Sequence, residues 1–188
     1  VIKSGESMAA LFGNVTGKVA HLGVENMTVQ YQSNHGRAGG IAARLSGSGR
    51  ITDCYVKNSR MEGDVIGVAG GIVADIFDNA VVSGCFSYKN TVKASRIGYI
   101  CSDTKEGTTI SSCYTDGDAL VSSDHKGMLS NSETGVNDST LVIGEICHKL
   151  NGAHPDSIVW RQTIGTDSLP TFNAESKTVY AYNFEDGK

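Results

Sequence analysis

The side chains best suited to chemistry are five cysteines, three of which, Cys54, Cys85 and Cys113, sit at matching places in a repeating sequence. A cysteine offers a nucleophile, a metal ligand or half of a disulfide, and each use has its own spacing requirement. Zinc asks for four ligands in close pairs such as Cys-x-x-Cys. Cys147-His148 and His154 lie near one another, but adjacent helical residues point apart and no second pair follows. These histidines read as structural, and neither metal nor any other cofactor is expected. A bridge between successive repeat cysteines would close a loop already held by strand pairing and leave an odd thiol. Reduced, buried thiols are therefore expected.

Acid and base chemistry would need carboxylates gathered from successive repeats. The residue before each repeat cysteine is Asp53, Gly84 or Ser112, and the third residue after it is Lys57, Tyr88 or Asp116, so these positions stack no acids. Asp75, Asp78 and Asp103, near the turns, read as solvated loop residues. There is no Gly-x-Ser-x-Gly elbow and no phosphate-cradling glycine loop. No catalytic residue is assigned, and the chain is expected not to be an enzyme. The remaining candidates are aromatic: Tyr55, Phe86 and Tyr114 each follow a repeat cysteine. If the cysteines face inward, these rings face outward as a ladder on which a sugar ring or a protein partner could stack.

The elements that must position these side chains follow from the repeat. Ala38-Gly39-Gly40-Ile41 leads to Ile51-Thr52-Asp53-Cys54-Tyr55. Ala69-Gly70-Gly71-Ile72 leads to Val82-Ser83-Gly84-Cys85-Phe86, and Ile97-Gly98-Tyr99-Ile100 to Ile110-Ser111-Ser112-Cys113-Tyr114. An earlier, shorter copy runs from Ala10-Leu11-Phe12-Gly13 to Val19-Ala20-His21-Leu22, with Leu22 in the cysteine position. A period near 30 with short β-branched runs, glycine, serine and aspartate turns and no helical periodicity describes a β-solenoid with about three short strands per repeat. Antiparallel sandwich strands have no reason to repeat one side chain at one place, whereas solenoid coils turn repeats into ladders. Ile51, Val82 and Ile110 stand three residues before the cysteines, a spacing that a continuous strand cannot bury on the same face. A corner or bulge must intervene.

Composition agrees and excludes other classes. The 188 residues include 23 glycines and only two prolines, with a formal charge of −4 spread without blocks. That argues against nucleic acid and anionic lipid as partners, and no apolar run is long enough to cross a bilayer.

The motif Gly40-Ile41-Ala42-Ala43, its counterparts at Ala10 and Gly71, and the (Ile/Val)-x-x-Cys-aromatic units that follow resemble the GLUG-motif repeats of bacterial surface proteins, over roughly residues 9 to 121. Trp160-Arg161-Gln162-Thr163-Ile164-Gly165-Thr166-Asp167-Ser168-Leu169-Pro170 looks like a closing pattern that follows such repeats in Bacteroidetes surface proteins. The resemblance implies a secreted or cell-surface, adhesin-like module within a larger protein. It transfers no active-site residue. The full Gly-Leu-aromatic-Gly motif is absent, and Tyr99-Ile100-Cys101-Ser102 has lost both glycines.

The expected fold is thus all-β: a right-handed parallel β-helix (β-solenoid) of about four coils over residues 1–121, with a C-terminal capping segment over 122–188. In the cap a short helix is expected near 139–150, with Asn137 to Ser139 as N-cap candidates and Gly152 just past its end. Strands are expected at Ser157-Ile158-Val159-Trp160 and Lys177-Thr178-Val179-Tyr180-Ala181-Tyr182, with Trp160 anchoring the cap to the last coil. Val1 opens inside patterned sequence, as expected for part of a longer surface protein. The expected function is non-catalytic adhesion, presenting a rigid rod to a host or bacterial glycan or an extracellular protein, with no membrane insertion. The alternatives are a polysaccharide-processing lyase or hydrolase and an inert spacer.

Overall fold

Short β-branched runs broken by residues that tolerate positive φ cannot make long strands. In the computed structural model, which describes residues 1–5, 7–62, 67–116, 120–122, 132–134, 136–173 and 175–177, they wind into a parallel β-solenoid of four coils. Coil 1 comprises β1 (Ile2–Ser4), β2 (Met8–Ala9), β3 (Phe12–Val15), β4 (Lys18–Ala20) and β5 (Gly23–Glu25). Coil 2 comprises β6 (Thr28–Tyr31), β7 (Arg37–Gly39), β8 (Ala42–Leu45), β9 (Arg50–Thr52) and β10 (Tyr55–Lys57). Coil 3 comprises β11 (Arg60–Glu62), β12 (Val68–Gly70), β13 (Val73–Ile76), β14 (Val81–Ser83) and β15 (Phe86–Tyr88). Coil 4 comprises β16 (Thr91–Ala94), β17 (Arg96–Gly98), β18 (Cys101–Thr104), β19 (Thr109–Ser111) and β20 (Cys113–Thr115).

Each strand pairs in parallel with its counterpart one coil away, giving five narrow sheets. The pairs Tyr55↔Phe86 and Phe86↔Tyr114 carry the offsets of 31 and 28 residues seen in the sequence. The shorter first copy is in register as well, Phe12 opposite Ala42 and Gly23 opposite Tyr55.

Each coil holds five strands where three were expected, because single residues in the left-handed region cut the runs. One such corner recurs directly before the cysteine position: His21 (φ 54), Asp53 (φ 54), Gly84 (φ 62) and Ser112 (φ 49). This is the corner required between Ile51 and Cys54. Another recurs at Asn26 (φ 55), Asn58 (φ 49) and Lys89 (φ 50). The left-handed conformation costs a non-glycine residue about 1–2 kcal/mol, so its repetition shows that packing of the whole column holds each turn.

Inside, Cys54, Cys85 and Cys113 are buried in line with Ile41, Ile51, Ile72, Val82 and Ile110 in one core. Val56, Ser87 and Thr115, two residues after the cysteines, are buried too. Each thiol donates to the carbonyl two residues earlier, at 3.2 Å to Thr52, 3.3 Å to Ser83 and 3.2 Å to Ser111. All five cysteines are free. Burial pushes the Cys85 and Cys101 thiols well above their ordinary range, which keeps them protonated and inert.

Beyond the coils, β21 (Leu120–Ser122) pairs with β16 and β22 (Ser132–Thr134) with β20. The expected helix is two helices, α1 (Asp138–Val142) and α2 (Glu145–Asn151), divided at Gly144, whose φ of 83 breaks the helical path. Asn137 caps α1 through a reciprocal pair with Thr140, and Gly152 ends α2. The strand expected at residues 157–160 does not form. The Asn151 side chain accepts from Val159 N (3.0 Å) and Trp160 N (2.9 Å), so those amides are satisfied without a neighbouring strand. An antiparallel bridge joins Arg161 and Thr171 instead. The strand expected over 177–182 lies outside the described residues except for Lys177.

Candidate functional site: two side-chain columns on the solenoid

The aromatic column comes first. Parallel register places Tyr55 on β10, Phe86 on β15 and Tyr114 on β20 directly over one another. Tyr55 and Phe86 stack with centroids 5.0 Å apart and planes 6° from parallel. The column forms, but it is not an outer surface: Phe86 is 0% and Tyr114 7% exposed. The C-terminal segment lies along the flank of the coils and shares one apolar cluster with these rings, through Leu141, Ile146, Leu150 and Trp160. Trp160 reaches the middle of the column, 5.5 Å from Phe86 and 6.4 Å from Tyr55, rather than fixing itself to the last coil alone. Tyr55, Phe86 and Tyr114 as a ligand platform is therefore corrected: outward-pointing rings bury more apolar area under the helices than they would in water.

Only Tyr55 keeps partial exposure. Its ring leans across coil 1, where a side chain on Gly23 would start 2.3 Å from the Tyr55 ring, so glycine opposite leaves room for the ring to lie there. Its hydroxyl donates to Glu25 Oε1 at 2.8 Å, and burial together with that carboxylate pushes its pKa up. Close by, Phe172 packs 4.3 Å from Trp160 and 5.5 Å from His21. His154 Nε2 lies 2.6 Å from Oδ1 of the buried Asp53. His154 thus fastens the C-terminal segment to a coil corner, while Cys147 lies on the buried face of α2.

The charged column lies on the sheet of β3, β8, β13 and β18. Here Asn14, Arg44, Asp75 and Asp103 are stacked in register. Two of the acids read as solvated therefore face each other on adjacent rungs, roughly 4.8 Å apart by strand spacing, and Asp75 is only 3% exposed. Asp78 is exposed and accepts from Gly47 N at 2.8 Å. The sequence signal for the column was present ten residues before each repeat cysteine, at Arg44, Asp75 and Asp103. Registers close to the cysteine missed it.

Every carboxylate in this column is engaged by cations. Arg37 Nε bonds Asp75 Oδ2, and Arg44 Nε lies 3.5 Å from Asp75 Oδ1. Arg96 Nη1 lies 3.2 Å and Lys105 Nζ 3.1 Å from Asp103 Oδ2. The Arg44 guanidinium also sits 4.6 Å over the Phe77 ring, a favourable cation–π position.

Next to this column, Arg37, Val68 and Arg96 are in register on β7, β12 and β17. With His35, Gly67 and Ser95 they line a cavity of about 140 Å³. The buried Tyr31 ring lies where side chains on the lining residues Gly36 and Gly67 would be. Chemically, a general base must reach its substrate within hydrogen-bond distance, which a carboxylate as buried as Asp75 does not offer. Two arginines lining one cavity do suit recognition of a planar anion.

No protein-family model matches the chain, and no curated protein matches it. Among solved structures, a chain from Bacteroides ovatus named a "putative immunoglobulin A1 protease" superposes with a TM-score of 0.49 at 16% identity, covering 86% of this chain and 54% of that one. The chain thus spans about half the length of that protein. At this score and identity the likeness bears on neither activity nor ligand.

Proposed function

We propose that this chain is a non-catalytic binding module of a larger bacterial cell-surface protein, a stiff β-solenoid that presents one face to a host or bacterial glycan or an extracellular protein. The observation that carries the reading is the open cavity at Arg37 and Arg96, whose guanidiniums are braced from the side by Asp75 and Asp103. Bracing removes much of the side-chain entropy that a long arginine otherwise loses on meeting a ligand. The in-register ladder of β7, β12 and β17 beneath sets the spacing of the two arginines.

The stacked Asp75 and Asp103 favour a second reading, a polysaccharide-processing enzyme. Two carboxylates one rung apart approximate the separation of about 5–5.5 Å used by retaining glycosidases. Against it stand the burial of Asp75 and the cations held on both acids.

A panel of immobilised glycans and extracellular matrix proteins, probed with the folded chain by surface plasmon resonance, tests the proposal. Saturable, reversible binding without ligand turnover is the expected result. New reducing ends in the glycan pool would establish the enzyme, and no binding to any member would leave a spacer.

A further inference from the structure

Resting on that binding reading, we infer that the cavity between Arg37 and Arg96 is a subsite for the acid group of an acidic sugar, a carboxylate or sulfate carried on a pyranose ring. The two arginines occupy one column two rungs apart, with Val68 between them. Two rungs correspond to roughly 10 Å between their backbones, so two like charges flank an apolar floor. An anion between them is attracted by both.

The surroundings supply the rest of the site. Asp75 takes Arg37 Nε and Asp103 takes Arg96 Nη1, which fixes the guanidiniums and leaves further N–H donors on each. Among the described residues, Arg37 and Arg44 pair with Asp75, and Arg96 and Lys105 with Asp103, four cations to two carboxylates. Ser95 Oγ donates to the Gly67 carbonyl at 3.0 Å and keeps lone pairs for a sugar hydroxyl.

His35 completes the rim in a conformation of its own. Its φ of 86 stands apart from the other non-glycine left-handed residues, which lie between 49 and 59. Its Nδ1 lies 2.6 Å from the Asn34 carbonyl, which makes Nδ1 the donor and leaves Nε2 available at the rim. Strained backbone of this kind is held where surrounding structure requires a side chain at one spot.

The cavity's size matches one group and not a chain. About 140 Å³ has room for an acid group and one edge of a ring. A polyanion would need a long basic track, whereas the chain's net charge is −4. A rigid ring also loses less freedom on binding than the flexible end of an acidic peptide, which favours the sugar.

Calorimetric titration of the intact chain with 3′-sialyllactose, a glucuronate disaccharide, a sulfated galactose disaccharide, uncharged lactose and a short glutamate peptide tests the assignment. At least one acidic sugar should bind about tenfold or more tightly than lactose, and weaken as salt rises. Arg96→Ala, at a side chain 57% exposed, should remove that tenfold preference while leaving the thermal transition in place. Val68→Phe, which fills the floor, should weaken the acidic sugar without altering charge. The carboxylate and sulfate probes distinguish the two acid groups.

Equal affinity for lactose, or an acidic-sugar affinity indifferent to Arg96→Ala, would overturn the subsite while leaving the binding module intact. Glutamate peptide binding as tightly as the sugars, with the same Arg96 dependence, would overturn the sugar assignment in favour of a protein ligand. If no probe binds but the wider panel does, the subsite falls alone. If the wider panel is silent too, both fall.

Discussion

Two columns on the same solenoid were built by the same operation and ended differently. In-register stacking put Tyr55, Phe86 and Tyr114 in one line and Arg44, Asp75 and Asp103 in another. The chain's own helices then covered the first, leaving Phe86 wholly buried, while the second keeps partly exposed arginines beside a cavity. A ladder of identical chemistry is therefore not yet a binding face. What decides is whether another part of the chain gains more by covering it. Aromatic rings offer a helix substantial apolar area, whereas paired charges would have to be desolvated for little return.

The sharpest way to break this contrast is Trp160→Ala. Trp160 is fully buried between Phe86 and Phe172, and truncation of such a ring costs about 3–5 kcal/mol. Hydrogen exchange should show Asp138–Val142 and Glu145–Asn151 losing protection while the coil strands retain theirs, with increased binding of an apolar dye as Phe86 and Tyr114 become accessible. Simultaneous loss of coil protection would mean that cover and coils are one cooperative unit, and that the aromatic column cannot exist uncovered.

The charged column is sharpened by comparing its two acids. Asp75→Ala leaves Arg37 and Arg44, about a quarter to a third exposed, without their buried counter-charge. A loss of about 2–3 kcal/mol is expected, below the figure for fully buried pairs because the arginines reach water. Asp103→Ala removes partners whose cations are more than half exposed, and should cost no more than about 1 kcal/mol. Urea denaturation of the two variants measures both. Equal losses would show that position in the column, and not burial, sets the energy.

How much of this was legible beforehand follows from what repeats. The coil period, the inward cysteines and the corner before them could be read because Cys54, Cys85 and Cys113 recur with their neighbours. Stacked Asp75 and Asp103 were equally periodic, but lay outside the registers compared. The division of coils into five strands turned also on single left-handed residues such as Lys89, whose type does not announce a corner. The cover over the aromatic column was not legible, because the segment that makes it does not repeat. Its key fastenings, Asn151 on the Trp160 backbone and His154 on Asp53, join positions with no periodic relation.

The smallest expected effect is the acid response of the cover's edge. Asp138 accepts from the Tyr88 hydroxyl at 2.5 Å and pairs with Lys89 at 2.9 Å, which ties the start of α1 to β15 and the corner after it. The Tyr88 hydrogen bond, followed by Lys89, holds the Asp138 carboxyl below its ordinary value. A carboxylate depressed on folding contributes its stability fully above the unfolded value of about 3.9 and loses it as pH falls through the lower, folded value. Because Asp138 and Lys89 are exposed, the contribution is screened and small. Tyr88 ring resonances followed by NMR from neutral to acid pH should therefore shift below about pH 4, late relative to a free aspartate. In Asp138→Asn the same resonances should already start near their acid-form positions and barely move. A Tyr88 shift of equal size in that variant would place the acid-sensitive contact elsewhere and leave the edge of the cover held by the apolar cluster alone.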